Sequence, residues 1–265
     1  MRLHLNGTAL NVVDEGRSDP ALVLLHSFGG SCRSWSPLIE RLAGAHRCVA
    51  PDLRGFGASD APATGYAVGD RAYDVAALVE ALGLESFVLV GHSMGGKIAQ
   101  ALAALRPAGL RALVLLAPSP PTPEPMSERD RAELLAGHGD RDAALATARK
   151  VTVRPLAPSL LDQVVDDMLR AAGPAWTAWL EEGSRDDISA QVGRLSTLAL
   201  VASGTGDVAI PTSVLAREVM PSLKRGRLVT VPGAGHLLPL EAPDEVAGLI
   251  ATVVQAASSP LAAAG

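Results

Sequence analysis

Five short apolar runs recur along the chain, and each breaks off at a glycine- or proline-bearing turn: Leu22-Val23-Leu24-Leu25, Phe87-Val88-Leu89-Val90, Ala112–Leu116, Leu198-Ala199-Leu200-Val201 and Leu228-Val229-Thr230-Val231. Runs of this length without polar alternation suit strands buried on both faces, and so a parallel sheet with helices on either side. The intervening segments agree. Stretches near Trp35–Ala43, Tyr73–Leu82, Met94–Leu105 and Pro243–Ala256 predict helices, and a further strand is expected at Arg47–Ala50. The first residues alternate apolar and polar and turn at Asn6-Gly7 into Thr8–Val13, the pattern of a β-hairpin. With 48% hydrophobic residues in 265, the chain has enough apolar surface for one sizeable core.

The alternation stops after Leu116. A breaker-rich stretch, Pro118-Ser119-Pro120-Pro121-Thr122-Pro123-Glu124-Pro125, is too dense in proline for a strand or helix interior and predicts a stiff linker. Helical patterns follow at Ser127–Ala136, Asp142–Thr152, Pro158–Ala171 and Trp176–Glu182, before strands resume near Thr197. The expected organisation is a core of residues 1–117 and 193–257, a helical cap inserted at 118–192, and a flexible tail at 258–265. Ligands in such sheets lie beyond the carboxyl ends of the strands, where an insertion of this kind would cover them.

Three of the turns carry groups that can act together. Gly91-His92-Ser93-Met94-Gly95 leaves the second apolar run and opens an alanine-rich helix, which places Ser93 on a sharp strand-to-helix turn as a candidate nucleophile. Serine needs a base in reach, and the base needs an orienting acid. Asp207 follows the fourth run in Ser203-Gly204-Thr205-Gly206-Asp207, and His236 follows the fifth in Pro232-Gly233-Ala234-Gly235-His236. Asp186 and Asp187 are rivals for the acid, but they precede the strand that Asp207 follows. The loop His26-Ser27-Phe28-Gly29-Gly30 leaves the first run, so the amides of Phe28 and Met94 are the expected oxyanion donors.

In these motifs, taken with Asp52-Leu53-Arg54-Gly55-Phe56-Gly57-Ala58-Ser59 and Pro211, the chain resembles the α/β-hydrolase fold superfamily, and within it the small lidded carboxylesterase-like serine hydrolases of bacteria. The resemblance covers nearly the whole chain. It implies a mostly parallel eight-stranded sheet with helices on both faces and an inserted helical cap, and hydrolysis of carboxylic esters of small to medium acyl chain. Lactone hydrolysis, carbon–carbon bond cleavage and perhydrolysis use the same residues, and a receptor on the same fold would be a non-catalytic alternative. The family usually has glycine where this chain has Ser27, which either crowds the oxyanion loop or adds a polar group to it.

The remaining readings are bounded by residue type. Ser27, His92, Trp176 and Trp179 are candidates for the substrate pocket, although the two tryptophans suit packing between cap helices equally well. His26 and Arg54 read as structural, Lys97 as a solvated or snorkelling lysine one turn into its helix, and Lys224-Arg225-Gly226-Arg227 as a loop before a strand. A net charge of −5 disfavours nucleic acid as a partner, and no apolar run is long enough to cross a membrane. Two cysteines, Cys32 and Cys48, form no disulfide framework, and six histidines without a zinc-binding spacing give no metal site. The expectation is a cytoplasmic, cofactor-free monomer or homodimer.

Overall fold

The computed structural model describes residues 1–258; the expected flexible tail, apart from Ser258, lies outside the described residues. Eight strands form one sheet: β1 Arg2–Leu5, β2 Thr8–Glu15, β3 Ala21–Leu25, β4 Cys48–Pro51, β5 Phe87–His92, β6 Leu110–Leu116, β7 Leu195–Gly204 and β8 Leu223–Val231. Their order is β1-β2-β4-β3-β5-β6-β7-β8. The β1–β2 hairpin and the β2–β4 pairing are antiparallel, and all other pairings are parallel.

Eleven α-helices are described: α1 Ser36–Leu42, α2 Val68–Ala81, α3 Met94–Ala104, α4 Glu128–Ala136, α5 Arg141–Val151, α6 Pro158–Arg170, α7 Gly173–Ala178, α8 Ser189–Val192, α9 Thr212–Val214, α10 Leu238–Glu241 and α11 Pro243–Ser258. Because side chains alternate across a strand, the continuous apolar runs divide between two cores. Leu22, Leu24, Val88 and Val90 pack with Leu38 of α1 and Ile250 of α11. Val23, Leu25, Leu89 and Leu113 pack with Val75 of α2 and Ile98 of α3 on the other face. Helices α4 to α8 all fall between β6 and β7, where the sequence predicts a helical insertion. No described helix is long and apolar enough to cross a membrane.

Two local expectations are corrected. Helix α2 begins at Val68 instead of near Tyr73, because the Asp70 carboxylate accepts the Ala67 N–H at 3.1 Å and completes a first turn that Gly69 obscures in the sequence. Lys224-Arg225-Gly226-Arg227 lies inside β8, not in a loop. β8 is the last strand of the sheet, and charged side chains are how an edge strand discourages pairing with another chain.

Candidate active site

Ser93 sits between β5 and α3 with φ 51° and ψ −116°, a region that side chains other than glycine rarely occupy. The surroundings over-determine it. Its N–H donates to Leu116 O at 3.0 Å, and its carbonyl accepts from Gly96 N at 2.8 Å and Ser119 N at 2.9 Å. The flanking glycines are needed for close approach: a Cβ on Gly95 would stand 2.2 Å from Leu25 O, and one on Gly91 would stand 2.5 Å from Gly95 O. The first turn of α3 can therefore lie against the end of β3 and fold back over the end of β5.

Asp207 and His236 meet from the ends of β7 and β8. The His236 Nδ1–H donates to Asp207 Oδ2 at 2.8 Å, which leaves Nε2 with its lone pair. Asp207 Oδ1 accepts the N–H groups of Ala209 at 2.8 Å and Ile210 at 2.9 Å, so every carboxylate oxygen is engaged. Burial alone would raise the Asp207 carboxyl, but His236 and the two amides hold it below the usual carboxylate range. Burial opposes charge on His236 too, yet Asp207, with Glu124 and Glu241 adding to it, holds the imidazole above its ordinary value. The rival acids are elsewhere: Asp186 offers its backbone carbonyl to Lys97, and Asp187 caps Ser189 N at 2.9 Å. Ser93 and His236 line one cavity without a hydrogen bond between their side chains, a contact that in unliganded enzymes often forms only when substrate arrives.

The loop from β3 is locked from beneath. Buried His26 accepts the Leu53 N–H on Nε2 at 2.9 Å and donates from Nδ1 to Ser27 O at 2.8 Å. Gly30 N also donates to Ser27 O, at 3.0 Å. Ser27 lines the cavity, so it adds a polar group there. The N–H groups of Phe28 and Met94 meet no acceptor among the described residues, which leaves both available to an oxyanion. Arg54 is a strut: its guanidinium grips the buried Asp74 carboxylate at 2.5 and 2.6 Å.

The cavity, about 410 Å³, is roofed by the insertion. Phe28, Met126, Leu134, Met168, Trp179 and Ile210 give it an apolar wall. Trp179 faces it as one of the two readings held, but Trp176 does not; its ring lies against Phe28 with centroids 4.3 Å apart, and its Nε1–H donates to Leu134 O at 3.0 Å. The two tryptophans share Phe28, Trp179 stacking on it with centroids 6.4 Å apart, and the chain then passes into a π-helical turn at Trp179–Gly183. His92 borders the cavity, but its Nε2–H donates to His236 O at 2.8 Å, and burial pushes its pKa down to about 3, so it stays neutral and supports the His236 backbone. Cys32 and Cys48 are free and buried, and burial raises both thiols. No group of three His, Cys, Asp or Glu among the described residues is placed to hold a metal ion.

Lys97 overturns its sequence reading. It is fully buried, with Nζ donating to Thr122 O at 3.3 Å and Asp186 O at 2.5 Å. These carbonyls belong to the two ends of the insertion, so one lysine on the helix that follows Ser93 holds both. All of α3 except Ala104 is buried, so the helix has no solvated face to offer a lysine. Burial pushes the Lys97 ammonium down to about 8. The unfolded chain therefore binds this proton more tightly, and the stability owed to Lys97 rises as pH climbs from about 8 towards the free-lysine value. Lys97→Met is expected to destabilise by about 1–3 kcal/mol, because two buried carbonyls lose their donor. Urea unfolding should show a larger deficit at pH 9.5 than at pH 7; a deficit independent of pH would refute the assignment.

Among known proteins, the family model described as Alpha/beta hydrolase family matches residues 22–249. The chain is 28% identical over 255 residues to the 2-(acetamidomethylene)succinate hydrolase of Mesorhizobium japonicum, covering 92% of this chain and 90% of that one. It is similar in structure to an esterase from Exiguobacterium antarcticum, with a TM-score of 0.89 at 20% identity, covering 96% of this chain and 99% of that one. The enol-lactonase of Burkholderia xenovorans LB400 superposes with a TM-score of 0.85 at 24% identity, covering 96% and 100%. At these identities the structural likenesses establish the fold.

Proposed function

The chain belongs to the alpha/beta hydrolase family, and from that premise we propose that it is a serine hydrolase of carboxylic esters with small to medium acyl chains. The observation that carries the reading is the 2.8 Å bond from His236 Nδ1 to Asp207, which presents a basic Nε2 to the cavity that Ser93 also lines. Ser93 Oγ attacks the ester carbonyl while His236 Nε2 takes its proton, and Asp207 stabilises the resulting imidazolium. Negative charge gathers on the carbonyl oxygen, where the Phe28 and Met94 amides receive it. Collapse of this intermediate expels the alcohol, which leaves with the proton from His236. A water then repeats the sequence on the acyl-enzyme, freeing the acid and restoring Ser93.

The strained turn at Ser93 supports this role, since it holds the hydroxyl clear of the sheet. The similarity to an esterase of nearly equal extent supports ester substrates, while the lactonase likeness keeps intramolecular esters within the same chemistry. The apolar wall of a cavity of about 410 Å³ suits a short acyl chain better than a fatty one. Hydrolysis of p-nitrophenyl esters from acetate to palmitate tests this. Activity peaking at short chains and falling steeply towards palmitate is expected; silence across the series would overturn the ester reading in favour of a lactone or carbon–carbon substrate.

A further inference from the structure

Glu241, the last residue of α10, carries a buried carboxylate that no cation pairs among the described residues. Four backbone N–H groups satisfy it instead. Oε2 accepts from Val153, Arg154 and Gly235, each at 2.8 Å, and Oε1 accepts from Leu237 at 3.0 Å. Gly235 and Leu237 are the residues on either side of His236, while Val153 and Arg154 belong to the insertion just past α5. Between them, His236 N donates to Val151 O at 2.8 Å.

These contacts hold the His236 backbone on every side. Its own N–H is bound to the insertion, its carbonyl receives the His92 Nε2–H, and both neighbouring amides end on Glu241. The approach is close enough to require glycine: a Cβ on Gly235 would stand 2.6 Å from Val151 O and 2.9 Å from Glu241 Oε1. Arg154 adds a second tie, donating from its guanidinium to Pro232 O at 2.9 Å and to Glu245 at 2.6 Å. A carboxylate is suited to this duty because both of its oxygens accept N–H groups, whereas an amide or a hydroxyl in its place would offer one acceptor oxygen.

We propose that Glu241 is a positioning residue for His236 that also couples the inserted helices to it, so that the seat of the base and the closure of the roof are one structure. The proposal rests on His236 acting as the base. If the segment at 151–154 lifts, His236 N loses its acceptor and Glu241 loses two of the four N–H groups that hold its carboxylate against the neighbours of His236. Closure over substrate and alignment of the base are then a single event, and an ester too large to let the roof settle also leaves the base misplaced.

The test compares ester hydrolysis by wild type, Glu241→Gln and Glu241→Asp, with His236→Ala alongside. Glu241→Gln keeps one carbonyl oxygen and turns an NH₂ group towards an N–H, so kcat should fall about 10- to 100-fold with KM changed much less. The charged groups that act on His236 are Asp207, Glu124 and Glu241, with His92 neutral beside it. Losing the Glu241 charge makes the imidazolium less stable, so the acid limb of the kcat/KM profile should move to lower pH. Glu241→Asp keeps the charge but shortens the reach; its kcat should fall while its acid limb stays with that of wild type. A loss of activity that only tracks the folded fraction, with an unmoved acid limb in Glu241→Gln, would overturn the proposal. Hydrogen exchange on the wild-type protein tests the coupling without any variant: the amides of Val153, Arg154, Gly235 and Leu237 should open together, and independent opening would overturn it. Full activity in His236→Ala would instead sink the base assignment, an outcome distinguishable from either.

Discussion

Ser93→Ala is expected to reduce turnover of activated esters by about ten-thousand- to million-fold while leaving the melting transition in place. The size follows from losing the covalent route altogether, since what remains is the oxyanion amides and substrate binding, which act on a water with no oriented partner. The fold should not notice. The contacts that hold the turn are backbone bonds to Leu116, Gly96 and Ser119, and alanine makes the same ones. Alanine also meets the same strain at φ 51°, so the change tests chemistry and not stability. Near-wild-type hydrolysis by Ser93→Ala would remove the covalent mechanism, whatever else the cavity does.

Asp207→Asn should cost nearly as much, about ten-thousand-fold in kcat, again with the fold retained. An asparagine can still accept the Ala209 and Ile210 N–H groups on its oxygen, but its NH₂ then faces His236 Nδ1 and selects the opposite tautomer. The proton would sit on Nε2, where the base needs a lone pair. The pH dependence gives a second readout. Asp207 offsets the burial that opposes charge on His236, so its removal lets the imidazole pKa fall and moves the acid limb of the residual activity to lower pH. In the wild type, His236 contributes stability below its unfolded pKa and loses it as pH rises through the higher folded value; Asp207, held low, loses its contribution as pH falls through its folded value. Full activity in Asp207→Asn would hand the acid's role to another group, and Glu124, which lines the cavity and whose charge also acts on His236, would be the first to test.

Much of the fold was legible because the information is local. Five apolar runs without alternation admit few arrangements other than a doubly covered parallel sheet, and a serine between glycines after such a run has little to do but turn. The less legible features depend on distant parts of the chain. Trp176 and Trp179 stand three apart, a spacing that on an α-helix puts them on one face, and both rings do meet Phe28; that only Trp179 reaches the cavity depends on distant Leu134, whose carbonyl takes the Trp176 Nε1–H. Lys97 read as a surface lysine because no local rule says that Thr122 and Asp186, far along the chain, present carbonyls to it.

The order of strands and turns, the place of Ser93, Asp207 and His236 past strand ends, and the helical character of residues 118–192 follow from the sequence alone, since each depends on a residue's near neighbours and on the two periodicities of backbone structure. Which acid pairs with His236, which tryptophan faces the cavity and what Glu241 holds are decided only by the tertiary structure. Each depends on residues far apart in the chain, on neighbouring strand ends or in the insertion, and chain entropy leaves such contacts undetermined until the whole core has packed.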